Sequence, residues 1–158
     1  MTNTDAYEMD QDTPNLAVGY TDMGVDYATE PSPQRRNNLF LHVIKGGPAG
    51  GGFSTVEDLL QFDRALRGRK LLDAKHTDLV LAGKVAVGPD AAGEKYGYGF
   101  SDAAVNGARV VGHGGGFPGI SAQLDMYLDD GYTVAVLSNY DRAANTVSDR
   151  LREWITQK

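Results

Sequence analysis

The chain has 158 residues and a mass of 17.0 kDa, of which 41% are apolar, and this matches one globular domain rather than a disordered tail. Lys and Arg total 15 against 21 Asp and Glu, so a net charge of −6 without a basic stripe argues against a nucleic-acid binder. The absence of cysteine excludes disulfides, thiolate metal sites and a cysteine nucleophile, and no apolar run reaches the roughly 20 residues of a membrane span.

Residues 1–40 are predicted to be largely irregular. Residues 1–34 contain seven acidic residues and no Lys or Arg, and apart from Leu16-Ala17-Val18 they show little apolar periodicity. They show no basic and apolar regions of a signal peptide. Because a domain seldom opens with so long a loop, we expect the chain to be part of a longer protein.

Residues 41–83 are predicted to be mainly helical, after a short apolar strand over 38–44. Ser54 and Glu57 form an S-x-x-E capping box, which predicts a helix over 55–67 that ends at Gly68. A second short helix is predicted over 73–81. The first helix has an apolar face formed by Val56, Leu59, Leu60, Phe62 and Leu66.

Residues 96–140 are predicted to form antiparallel strands. Alternation begins at 96–100, and the turn signals Asn106-Gly107 and Asp130-Gly131 predict tight hairpins around strands at 108–113, 120–128 and 132–138. The last of these is almost continuously apolar, which is typical of a central strand covered on both faces.

Residues 141–158 are predicted to form a C-terminal helix capped by Asp141, and helices packed on an antiparallel sheet make an α+β fold. The apolar face of this helix contains Val147, Leu151, Trp154 and Ile155.

Two glycine clusters resemble nucleotide-binding loops only in their letters. The stretch 47–54 has P-loop spacing, but Phe53 stands where the phosphate-binding lysine belongs. The stretch 114–119 reads G-x-G-x-x-G, but a strand rather than a helix is predicted to follow it. His42 and His76 are interpreted as a core and a surface residue, no metal-ligand spacing occurs, and we expect no cofactor and no metal.

His113 is the histidine with a possible chemical role. It ends a predicted strand and precedes three glycines, whose backbone amides a ligand can approach closely. An imidazole beside bare amides suits an anion or an oxyanion, while the alternative is a hairpin crossing with an incidental histidine. The residues alone leave both interpretations open. The sequence contains no G-x-S-x-G, no S-x-x-K and no Y-x-N.

Four segments of the chain form a combined pattern in a fixed order: 49–62 (AGGGFSTVEDLLQF), 96–100 (YGYGF), 112–119 (GHGGGFPG) and 136–140 (VLSNY). Together they resemble the C-terminal half of a class C β-lactamase-like serine hydrolase. That family includes class C β-lactamases, D-Ala-D-Ala peptidases and related esterases. The resemblance covers most of residues 15–157 and implies a partial β-lactamase/DD-peptidase-like fold that takes part in acyl transfer on a β-lactam, a D-amino-acid peptide or an ester.

The resemblance also implies roles for individual residues. His113-Gly114-Gly115 is similar to the third family motif, K-T-G or H-x-G, so His113 would keep the site electropositive and orient the substrate. The backbone N–H of Gly116 would complete the oxyanion hole, and Gly114, Gly115 and Asn139 would bind substrate. The nucleophile motif S-x-x-K and the Y-x-N motif are not in this chain, so the chain alone is expected to be inactive.

Alternative functions stay open at this level. The chain could be a non-catalytic binding or assembly module derived from the fold, or a small-molecule binder unrelated to hydrolases. The expected partner of a full-length parent is a small-molecule or peptide substrate, and neither nucleic acid nor a membrane segment is expected. Apolar surface that the other half would cover predicts a homodimer or larger assembly. The compartment is open, because any signal peptide would precede Met1.

Overall fold

The computed structural model describes residues 1–8, 10–23, 34–39, 41, 45–89 and 93–157. Within these residues six antiparallel strands, arranged in sequence order, form the main sheet, and three helices pack on it. The observed architecture is the predicted α+β fold. No helix in this described part is long and apolar enough to cross a membrane. The elements are β1 (Tyr20–Thr21), β2 (Arg36–Asn37), α1 (Val56–Arg67), α2 (Ala74–Leu81), β3 (Val85–Ala86), β4 (Lys95–Tyr96), β5 (Ser101–Val105), β6 (Ala108–Phe117), β7 (Ile120–Tyr127), β8 (Thr133–Ser138) and α3 (Ala143–Thr156). The strand order is β3-β4-β5-β6-β7-β8, and β1 pairs separately with β2.

The helix α1 is where the sequence placed it, but its cap is shifted by one residue. The N-cap is Thr55, whose Oγ1 accepts from the N–H of Asp58 at 3.2 Å. The prediction of Ser54 as the cap is wrong, because the Ser54 hydroxyl lies 2.9 Å from that of Thr4 and fastens the N-terminal segment instead. Val56, predicted in the apolar face, is 40% exposed.

The helix α2 confirms its prediction. Asp73 caps it by accepting from the N–H of His76 at 2.8 Å, and His76 lies on the surface as expected. The strand predicted over 38–44 is wrong where the structure describes it, because the N–H of Leu41 bonds the carbonyl of Asn38 in a turn. His42 lies outside the described residues.

The core lies between the sheet and the first two helices. Leu66 of α1 and Leu81 of α2 meet Val111 and Met126 of the sheet, and all four are nearly or fully buried. Phe62, Phe100 and Leu128 pack against this cluster.

The helix α3 covers the opposite face of the sheet. Side chains alternate between the two faces along a strand, so Asp125 points away from the core that its neighbour Met126 enters. There the Asp125 carboxylate accepts from Arg152 of α3 at 2.8 Å. The sheet therefore carries α1 and α2 on one face and α3 on the other.

Both predicted hairpin turns are present, with connections of different length. Asn106 and Gly107 have φ of 49° and 83°, the two positive values that a tight two-residue hairpin requires, and they join β5 to β6 as predicted. Between β7 and β8 the chain also reverses as a hairpin at Asp130-Gly131, where Gly131 has φ of 77°, but this connection takes five residues, 128–132. Across this turn the N–H of Tyr127 bonds the carbonyl of Tyr132 and the N–H of Gly131 bonds the carbonyl of Tyr127, both at 2.9 Å.

The apolar strand β8 is an edge strand, not the predicted central one. Within the described residues β7 is its sheet partner, at the end of the strand order. Its apolar character comes from helices on both faces, because α1 reaches Thr133 through Asp63 and α3 packs on the other side. Leu137 is still 37% exposed.

The helix α3 begins without the predicted cap. Its N-cap is Arg142 with φ of 57° and no side-chain cap, and the N–H of Ala144 is satisfied by the Ser121 hydroxyl at 2.9 Å. The predicted apolar face is only half used, because Val147 is 48% and Trp154 is 56% exposed. The buried residues of the helix are Ala144, Ser148 and Thr156.

Candidate functional site

The glycine-rich end of β6 has an open edge. The strand β5 pairs with β6 from Val105 opposite Ala108 to Ser101 opposite Gly112, and the pairing stops there. On its other side β6 pairs with β7 as far as Phe117. Among the strands that the structure describes, residues 113–116 therefore pair with β7 and not with β5.

The alternation of antiparallel pairing decides which backbone groups face this open edge. Phe117 and Ile120 close a two-residue hairpin, so they form a hydrogen-bonded pair. Hydrogen-bonded and non-hydrogen-bonded pairs alternate along β6, so Gly116 and Gly114 lie in non-hydrogen-bonded pairs. Their N–H and C=O groups therefore point away from β7. Two amides of the predicted site thus point into the space beside the sheet.

The missing side chains matter differently at the three glycines. A Cβ on Gly116 would have no atom within 4 Å, and a Cβ on Gly115 would only touch that of Ala122 at 4.0 Å. A Cβ on Gly114 would lie 2.5 Å from Oε1 of Gln123. A side chain at Gly114 would therefore require the flexible Gln123 side chain to move, while glycine at 115 and 116 leaves room for a ligand.

His113 is exposed at the start of this edge, and Tyr96 holds it. Its Nε2 lies 3.0 Å from the hydroxyl of Tyr96, and the two rings meet edge to face with centroids 5.9 Å apart. Tyr96 belongs to β4, two strands away from β6. In the sequence Tyr96 is marked only as the start of an alternating segment, because a contact across 17 residues leaves no periodic signal.

Asn139 lies at the same end of the sheet but not beside His113. It follows Ser138, which pairs with Ser121, which in turn pairs with Gly116. Because β7 lies between them, β6 and β8 are two strand spacings apart, about 10 Å. The Asn139 amide donates from Nδ2 to the carbonyl of Val18 at 3.0 Å, so it fastens the N-terminal segment.

That N-terminal segment clamps the hairpin at the end of β6. The fully buried Asn38 accepts from the N–H of Gly19 at 3.1 Å through Oδ1 and donates to the carbonyl of Pro118 at 2.9 Å through Nδ2. A Cβ on Gly19 would collide with the Asn38 amide, so glycine is needed there. The region predicted to be irregular therefore fixes the turn next to the candidate site.

Asp141 supports the same turn instead of capping α3. Its carboxylate accepts from the N–H of Gly119 at 2.6 Å, the hydroxyl of Thr21 at 3.0 Å and the N–H of Asp22 at 3.0 Å. Burial acts to raise the pKa of Asp141, but these donors outweigh it and the pKa is lowered. The ionised carboxylate is thus part of the clamp.

The site around His113 is an open edge rather than an enclosed pocket. A cavity of about 220 Å³ lies on the opposite face, where Gly112 and Gly114 form its floor and the ion pair of Asp125 with Arg152 lines it. In the described part of the chain no three His, Asp or Glu side chains gather where they could hold a metal ion. Chemically, this edge can offer hydrogen-bond donors to a carbonyl or an oxyanion.

Comparison with known proteins shows the family and the fold of this chain. The profile of the family described as Beta-lactamase matches residues 1–157. A penicillin-binding protein from Bacillus halodurans superposes with a TM-score of 0.81 at 25% identity, covering 96% of this chain and 44% of that one. Among proteins with curated function, none matches this chain.

Two more distant structures share the fold. A D-stereospecific amidohydrolase from Streptomyces sp. gives a TM-score of 0.71 at 23% identity, covering 92% of this chain and 41% of that one. The octameric penicillin-binding protein homologue from Pyrococcus abyssi gives 0.63 at 21% identity, covering 94% and 35%. The chain thus spans less than half the length of these three proteins.

The predicted resemblance is confirmed by these findings, and the interpretation as a binder unrelated to hydrolases is wrong. The match extends over nearly the whole sequence, including the N-terminal segment that clamps the hairpin. This chain belongs to the β-lactamase family of serine hydrolases.

Proposed function

We propose that this chain supplies one wall of the acyl-transfer site of a β-lactamase-like serine hydrolase. The observation that carries the proposal is the open edge of β6, where His113 precedes glycines whose amides face outward. The substrate class is a β-lactam, a D-amino-acid peptide or an ester. The S-x-x-K nucleophile is supplied from outside this chain.

Each residue of the edge has a part in this proposal. When a serine attacks the substrate carbonyl, negative charge develops on its oxygen, and the Gly116 N–H donates to it. His113 keeps the site polar and orients the substrate. Gly114 and Gly115 let the substrate backbone lie against β6. Asn139, which directly follows β8, contributes its side-chain amide to substrate binding.

The first test concerns covalent chemistry. An acyl-enzyme requires a serine and its base within hydrogen-bond reach, and no serine of this chain has a lysine three positions on. We expect no covalent adduct when the purified chain is incubated with a fluorescent penicillin or a nitrophenyl ester. Stable labelling of any of its six serines, located by mass spectrometry, would contradict the assignment of the nucleophile to another segment.

The second test concerns recognition. In a ¹⁵N NMR titration with a cephalosporin or D-alanyl-D-alanine, the amide shifts should be largest at Gly114 and Gly116. Gly115→Val should abolish them, because the new side chain fills the open space, whereas Gly88→Val is a matched control at another open position. Equal titration of the two variants would show that the ligand binds elsewhere.

A non-catalytic module of the same family is the alternative, and the absence of S-x-x-K favours it. The genomic sequence ahead of Met1 separates the two: an encoded S-x-x-K and Y-x-N supports the hydrolase, and their absence supports the module. A module would still show the titration at Gly114 and Gly116, without any covalent labelling by a longer product of the gene.

We also propose that the isolated chain self-associates. The edge strand β8 contains no charged residue and no proline, the features that usually protect a free edge. The exposed Val147 and Trp154 of α3 add apolar surface. Light scattering at micromolar concentration should show a dimer or larger assembly, and a monomer of 17.0 kDa would refute this.

A further inference from the structure

We infer that Tyr96 is a positioning residue for His113, and that its hydroxyl decides which ring nitrogen of His113 carries the proton. The inference deepens the proposed function and rests on it only for the role of His113 in orienting the substrate. Its basis is the 3.0 Å separation of the Tyr96 hydroxyl from Nε2 of His113.

The backbone of Tyr96 is fixed on both sides. It lies opposite Val85 on β3 and Ser101 on β5, and its carbonyl accepts from the N–H of Lys84 at 2.9 Å. The following residue is confined as well, because a Cβ on Gly97 would lie 2.6 Å from the carbonyl oxygen of Ala82. With the main chain held in this way, only two side-chain torsions set the position of the hydroxyl.

The imidazole of His113 has less support from its own strand. The three residues that follow it in β6 are glycines, so these neighbours offer no side chain to pack against the ring. Tyr96 supplies that contact both through its hydroxyl and through its ring, which meets the imidazole at an interplanar angle of 62°. Such an edge-to-face contact restricts rotation of the imidazole about its own axis.

The chemistry of the two groups sets the direction of the hydrogen bond. A neutral imidazole nitrogen without a proton is a stronger acceptor than a phenol oxygen, so the Tyr96 O–H donates to Nε2. The imidazole proton then resides on Nδ1, since a neutral ring carries only one. His113 therefore keeps Nδ1–H as the donor that a ligand at the open edge of β6 can use.

Long-range ¹H–¹⁵N NMR of this chain, recorded at a pH where the imidazole is neutral, reads the tautomer directly. We expect the wild-type His113 to show a protonated Nδ1 and an unprotonated Nε2. Tyr96→Phe should lower the ratio of the Nδ1–H to the Nε2–H tautomer by about fivefold, the effect of one neutral hydrogen bond. Tyr98→Phe is the matched control, since Tyr98 is 63% exposed in the same segment and its ring lies near Lys84 instead.

Two results would overturn the inference. One is a predominant Nε2–H tautomer in the wild type, which requires no variant and so does not depend on how Tyr96→Phe folds. The other is a ratio that Tyr96→Phe and Tyr98→Phe leave equally unchanged. If the tautomer shifts as expected but no ligand perturbs Gly114 or Gly116, the proposed function fails and the positioning role of Tyr96 stands.

Discussion

Asn38→Ala should loosen the turn that ends the glycine strand. The side chain is fully buried, and both halves of its amide bond to the main chain: Gly19 donates to Oδ1 at 3.1 Å and Pro118 accepts from Nδ2 at 2.9 Å. Alanine removes both bonds and leaves a donor on one segment and an acceptor on another without their partner. The substitution thus acts on the contact between the N-terminal segment and the hairpin of β6 and β7.

The size of the effect follows from these two groups. A buried polar group that loses its partner costs about 1–3 kcal/mol, and water entering the space left by the amide offsets part of it. For two such groups we expect the free energy of unfolding to fall by about 2–4 kcal/mol. This is a large fraction of the roughly 5–15 kcal/mol that stabilises a typical domain.

Urea denaturation followed by circular dichroism measures this change. Asn37→Ala is the matched control, because Asn37 is the adjacent residue, is exposed, and should change the unfolding free energy by less than about 0.5 kcal/mol. In ¹⁵N spectra only Asn38→Ala should shift the amides of Gly116 and Gly119. If both variants unfold at the same urea concentration, the turn does not depend on the Asn38 clamp.

Three further predictions test the fold around the site. The pKa of Asp141 is lowered in the folded chain, so its carboxylate stabilises the protein above the unfolded pKa of about 3.9, and this stability is lost as the pH falls through the folded value. Asp141→Asn should therefore flatten this part of the curve of unfolding free energy against pH. An unchanged curve would contradict a stabilising role of the Asp141 carboxylate at the turn. Gly115→Val should leave the melting temperature nearly unchanged, whereas Gly112→Val should prevent folding, because its Cβ would collide with the carbonyl of Leu124; equal melting temperatures would show the packing of β6 to be wrong. Arg67→Ala should lower the unfolding free energy by about 2–4 kcal/mol, because it leaves the buried carboxylate of Asp63 without its cation, and a change within 0.5 kcal/mol in urea would contradict this.

The candidate site was predictable from the sequence in its strand residues and in its family. His113 and the glycines after it form a local motif, and the order of four such segments is sufficient for the resemblance that the family match confirms. The roles of His113, Gly116 and Asn139 in a reaction remain proposals. Tyr96 was not predicted as a partner, because the turn that carries it back to His113 is set by the pairing of β4 with β5.

The sequence by itself determined the elements whose signals are local. Helix α2 was predicted over 73–81 and begins after Asp73, the hairpin follows from the Asn106-Gly107 pair, whose residues readily adopt positive φ, and β7 follows from strict apolar alternation. These signals depend on the conformation of a few neighbouring residues, which the chain carries wherever it folds. The α+β class follows from their order.

Only the tertiary structure decided the neighbours of those elements. An apolar run indicates that a strand is buried but not what covers it. The apolar run of β8 therefore predicted a central strand, whereas in the structure helices cover its two faces and it lies at the edge of the sheet. Asp141 reaches Thr21 across 120 residues and Asn38 reaches Pro118 across 80. Contacts at such separations depend on how the whole chain closes on itself, and no local pattern of residues encodes them.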